Sequence, residues 1–165
     1  MMIRTALAAL ALAGLAQTAQ AAAPADPERA AILAKVGAFF TAMRNQDAKG
    51  LADAQFTDGV FTIQRQAPDG HFDLQRPAVE GVLASMALKP GLDEHIWDPT
   101  LLRRGPMAVV WAPYEFKLDG KTSHCGIDVF NLVQAAGQWK IASVMWTAEP
   151  KACPELGAKP VAAKP

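Results

Sequence analysis

Between residues 26 and 44 the apolar side chains fall at Ile32, Leu33, Val36, Phe39, Phe40 and Met43, the three-and-four spacing of a helix with one buried stripe. Asp26 supplies an N-cap, Pro27 the first helical position and Glu28 an acidic first turn. A shorter helix is predicted from Asp47, again an N-cap, to Phe56, with Leu51 and Ala52 inward and Gly50 weakening it. The period then shortens. Residues 60–66 read as a strand, 67–70 as a turn and 71–74 as a short returning strand. A third helix is predicted from Pro77, with Val79, Val82, Leu83 and Met86 on one side, followed by a loop over 88–94. From His95 onward strands alternate with turns at Gly105-Pro106, at 119–121 and at Ala136-Gly137. Three helices followed by a four-strand antiparallel meander predict an α+β domain with helices on one face of a curved sheet. Pro113, which lacks an N–H, is expected at an edge or a bulge.

The strand before the Ala136-Gly137 turn raises a chemical question. His124 and Asp128 share a face with Phe130 and Leu132, while Cys125, Ile127, Val129, Asn131 and Val133 line the other. A strand apolar on both faces is buried on both sides. Four residues along a strand span about 13 Å, so His124 and Asp128 cannot pair with each other. Each needs a partner from a neighbouring strand or from a ligand, as polar groups do in an apolar pocket. Phe39 and Phe40 on the first helix, with Trp111, Tyr114 and Trp146 on the late strands, are the candidate walls. Trp111 and Tyr114 differ in parity, so both face inward only if Pro113 marks a bulge. Trp139, just after a turn, reads as a structural plug.

Composition narrows the function. The chain has 165 residues, 51% hydrophobic and 19% charged, with 16 basic and 16 acidic side chains. That suits one domain with a real core, and offers no basic patch for nucleic acid or an anionic membrane. Residues 1–21 join a single early charge, a short Ala/Leu run and a small-residue Ala19-Gln20-Ala21 end, the pattern of a cleaved signal peptide. The domain is expected over 22–150, in a periplasmic or secreted protein, with a disordered tail over 151–165. In an oxidising compartment Cys125 and Cys153 are a disulfide candidate. His71, His95 and His124 lack metal-ligand spacing, and no nucleophile elbow or phosphate loop is present, so neither metal nor cofactor is expected.

Two stretches carry a resemblance. Residues 39–63 (FFTAMRNQDAKGLADAQFTDGVFTI) look like the opening of the nuclear-transport-factor-2-like superfamily, which includes ketosteroid isomerase and the SnoaL-like proteins. Residues 109–147 are similar to the closing strands of its exported bacterial members, with an aromatic strand, a Gly-x-Asp-x-Phe strand and a Gly-x-Trp-Lys-Ile strand in order. The resemblance spans about residues 30 to 148. It implies a cone: a strongly bent antiparallel sheet wrapped around the long first helix, enclosing a pocket, often dimeric through the outer sheet face. Ketosteroid isomerase chemistry is not implied. The hydroxyl position falls on Phe39, and the base position on Ile63 or Gln64. The expectation is therefore a homodimeric, exported binding domain for a small apolar or aromatic molecule. The alternatives are an isomerase, dehydratase or cyclase using His124 or Asp128 as general base, and a structural domain that fills its own pocket.

Overall fold

The computed structural model describes residues 26–158. The signal-peptide reading therefore lies outside the described residues. Along the chain come α1 (Pro27–Arg44), α2 (Ala48–Ala54), β1 (Gln55–Gln66), β2 (Phe72–Gln75), α3 (Val79–Leu88), β3 (Leu92–Ile96), β4 (Thr100–Arg104), β5 (Met107–Leu118), β6 (Lys121–Ala135) and β7 (Gln138–Ala148). The fold is α+β, as expected. Asp26 caps α1 through Glu28 N–H and Asp47 caps α2 through Gly50 N–H.

The sheet has seven strands in the order β2-β1-β7-β6-β5-β3, with β4 also paired to β5. It is mixed rather than antiparallel throughout, because β1 runs parallel to β7. A parallel pair needs a long crossover, and here everything from β2 to β6 provides it. The predicted loop over 88–94 is corrected too, since β3 begins at Leu92 and pairs with β5. The long strand expected from His95 breaks between Ile96 and Thr100. Pro113 sits at that break. Register continues through it on the β6 side, with no bulge, and its carbonyl accepts from Trp97 N–H at 3.2 Å where β5 exchanges β4 for β3.

Asp119-Gly120 and Ala136-Gly137 close two-residue hairpins, with both residues of each at positive φ, the backbone that matches strand twist. The buried stripe of α1, Ile32, Val36, Phe39, Phe40 and Met43, packs on Phe61, Val110, Phe130, Leu132, Ile141 and Val144. Both Phe39 and Phe40 meet Phe130 edge to face. The second hairpin is fastened to α1 at its tip, where Glu28 accepts from Trp139 Nε1 at 2.9 Å and Gln134 Nε2 at 3.2 Å. Trp139 is the plug its position suggested.

Past β7 the chain folds back across β6. Glu149 and Cys125 exchange backbone hydrogen bonds, and Cys125 is bridged to Cys153 with a Cα–Cα distance of 5.0 Å. Ala152 is buried, and the Leu156 carbonyl accepts from Trp97 Nε1 at 3.1 Å. The tail expectation is thus corrected over 151–158, which form a pinned turn, while 159–165 lie outside the described residues. Opening a bridge across 28 residues should lower stability by about 3.5 kcal/mol. Urea denaturation of the oxidised protein against Cys125→Ala/Cys153→Ala checks this, and an unchanged midpoint would show the bridge to be idle.

Gly126 marks a close approach of one backbone to another. A Cβ there would lie 2.0 Å from the Thr147 carbonyl oxygen, and Tyr114, its cross-strand partner on β5, donates its hydroxyl to that same oxygen at 2.7 Å. The absence of a side chain lets β7 fold in over β6. Gly126→Ala should cost about 2–3 kcal/mol in urea, since backbone rather than a flexible side chain stands in the way.

Candidate functional site

The concave face reads as rows of side chains across the strands. One row is Phe61, Val144, Phe130 and Val110. The next is Ile63, Trp146, Asp128 and Ala112. Then come Tyr114 with Gly126, and finally Glu94, Phe116 and His124. In a flat sheet Glu94 and Asp128, two strands and two rows apart, would have Cα atoms roughly 16 Å from each other. The curvature of the sheet brings their carboxyls within hydrogen-bonding reach across the concavity.

A narrow cavity surrounds them. Phe39 from α1, Met86 from α3 and Phe61, Val144, Phe130 and Trp146 from the sheet form the walls, with Glu94 and Asp128 as the polar lining. Its volume of about 30 Å³ holds a water or two, where one water needs about 10–15 Å³. Met86 and Trp146 at its rim are only half-buried, and Trp146 stands edge-on to Phe61 at 5.4 Å. A wider depression of about 450 Å³ lies between the β1–β2 turn and Pro150-Lys151, but every residue lining it is exposed or half-buried.

Asp128 is 2% exposed, and its Oδ2 is buried without any donor. Burial raises its affinity for a proton well above the usual carboxyl value, and Glu94 adds to the effect. Glu94 is half-buried as a residue, yet desolvation of its carboxyl, with Asp93 nearby, raises it to about 7. The pair titrates as a unit and can satisfy itself only while holding a proton. Tyr114 beside it is pushed up by burial and by both acids, so it stays a neutral phenol, already donating to Thr147. His124 is pushed down to about 4 by burial and then by Arg65, and is neutral at ordinary pH.

The candidate residues separate accordingly. Phe39, Asp128 and Trp146 line the cavity. Phe40 is buried behind it against Phe130. Tyr114 and His124 do not line it; His124 packs against the Tyr114 and Phe116 rings. Trp111 is corrected: with no bulge at Pro113 it keeps its opposite parity and stands on the outer face, 45% exposed. Glu94 went unnoticed in the sequence, because it sits in a five-residue strand whose pattern is mostly polar. Among the described residues no cluster of His, Cys, Asp or Glu is placed to hold a metal ion.

Both carboxyls bind protons more tightly folded than unfolded. Stability therefore falls as pH rises from the ordinary carboxyl range through about 7. Asp128→Asn removes one charge at constant shape. Its Tm should exceed the parent's by a few degrees at pH 8 and converge on it near pH 4, read by calorimetry. A lower Tm at pH 8 would mean that the folded state needs the Asp128 charge.

No protein-family model matches the sequence, and no curated protein matches it either. Solved structures do. An NTF2-like protein from Cytophaga hutchinsonii aligns with 73% of this chain and 98% of its own at 20% identity and a TM-score of 0.58. An NTF2-like protein of unknown function from Shewanella baltica aligns with 76% of this chain and 96% of its own, at 18% identity and TM-score 0.54. A Streptomyces avermitilis protein, described provisionally as a dehydratase of the NTF2-like family, aligns with 74% and 96%, at 14% identity and TM-score 0.55. With its long α1 held in the curl of a seven-stranded sheet, this chain has the fold of the nuclear-transport-factor-2-like proteins.

Proposed function

We propose that this protein binds a small, mainly apolar molecule in the cleft between α1, α3 and the curled sheet, with the ligand's polar group at Glu94 and Asp128. Asp128 carries the proposal. Elsewhere the chain satisfies its covered carboxylates: Glu115 accepts from Thr122 and lies 3.3 Å from Lys117 Nζ, and Glu28 takes two donors. Leaving a buried group unpartnered costs about 1–3 kcal/mol; the Gln55 amide is also buried without a partner, but Asp128 is the carboxylate so placed among the described residues, and it lies in an aromatic-walled cavity. A ligand donor would remove that cost. The ligand's apolar body would enter by displacing Met86 and Trp146, since the closed cavity is far below the roughly 300 Å³ of a drug-sized site.

A second reading is proton transfer of the isomerase or dehydratase kind. It is favoured by Glu94, whose value of about 7 lets it give or take a proton at neutral pH. Asp128 with Glu94 suits this role better than His124, which is a weak base here. The Cys125–Cys153 bridge supports a periplasmic or secreted location. On the outer face, Val60, Leu102, Met107, Trp111 and Met145 are large exposed apolar residues that a second copy of the chain would cover.

Native mass spectrometry of the protein purified from an oxidising compartment tests the reading. A non-covalent adduct lost in Asp128→Ala, on a particle of twice the chain mass, is expected. A ligand-free mass in both proteins would remove the binding reading and leave proton transfer.

A further inference from the structure

The chemistry of the cleft narrows the ligand further than its shape does. Two carboxyls line the cavity and no basic side chain does. The remaining lining is four aromatic rings, a methionine and a valine. Aromatic faces are electron-rich and attract cations, most strongly where water is excluded. Resting on the binding reading above, we infer that the ligand is a small organic amine, its ammonium group seated between Glu94 and Asp128 and ringed by Phe39, Phe61, Phe130 and Trp146.

Donor arithmetic supports this class over its rivals. Ionised carboxylates only accept, and a primary ammonium has three donors and no acceptor, enough for both acids and the unpartnered Oδ2 of Asp128. A hydroxyl brings one donor and turns its own lone pairs toward a carboxylate. A ligand carboxylate would add a third acid to the two already crowded there. Size agrees as well, since about 30 Å³ admits a head group while the apolar body lies outward past Met86 and Trp146.

The surrounding charges leave the cleft acidic. Facing it are Glu94 with Asp93 beside it on β3, Tyr114 on β5, Asp128 and His124 on β6, Arg65 on β1 and Glu149 beyond β7. Two cations stand near: Arg44 on α1 is held by Asp93 at 2.7 Å and so offsets that acid, and Arg65 is exposed, where solvent screens it. His124 and Tyr114 are uncharged at neutral pH. An entering ammonium takes the place of the proton that the acids share. Binding must therefore release protons, and affinity must rise with pH through about 7.

Calorimetric titration with phenethylamine, phenethyl alcohol and phenylpropionate separates the possibilities, because the three share a body and differ in head group. Phenethylamine should bind at least about tenfold more tightly than the alcohol at pH 8, and phenylpropionate not at all. The amine's affinity should fall by at least about tenfold on going to pH 5, with proton release seen in weakly buffered solution. Asp128→Asn and Glu94→Gln should each keep the alcohol and lose the preference for the amine. Alcohol binding as tight as the amine's, with no proton release, would overturn the amine assignment and keep the pocket. Binding of none of the three would overturn both.

Discussion

The approach of the Thr147 carbonyl to Gly126 governs the architecture of the site. Any side chain at 126 would hold β7 away from β6, and the sheet would open there. The Tyr114 hydroxyl takes up the same carbonyl, so a phenol crosses the glycine and ties three strands together on the concave side. On the same concave side, acids from β3 and β6 meet across β5.

The helices and hairpins were legible in the sequence because their signals are local. The α1 stripe, the Asp26 and Asp47 caps and the Ala136-Gly137 turn each depend on a few neighbouring positions and formed as read, while the turn read at 119–121 closes in two residues, with Lys121 already in β6. The parallel β1–β7 pair was not legible, since it joins residues some eighty positions apart with no turn to announce it. Glu94 was hidden for a related reason. In Leu92–Ile96 an acid occupies an inward position, which breaks the apolar alternation that would have marked a strand. Strand parity settled Trp111 once the register ran unbroken through Pro113.

The isolation of Asp128 was half legible. Distance along one strand correctly separates it from His124, but the partner came across the concavity from a strand two places away. Flat-sheet reasoning overstates every such separation on the inner face of a cone. On the outer face the same curvature spreads side chains apart, and there Trp111, Met107 and Met145 stay uncovered within one chain.

The Cys125–Cys153 bridge has a consequence in the order of biosynthesis. Cys153 follows every helix and strand among the described residues, so it leaves the ribosome after all of them. Made one residue from Gly126, the bond fixes the returning chain beside the point where β7 comes closest to β6.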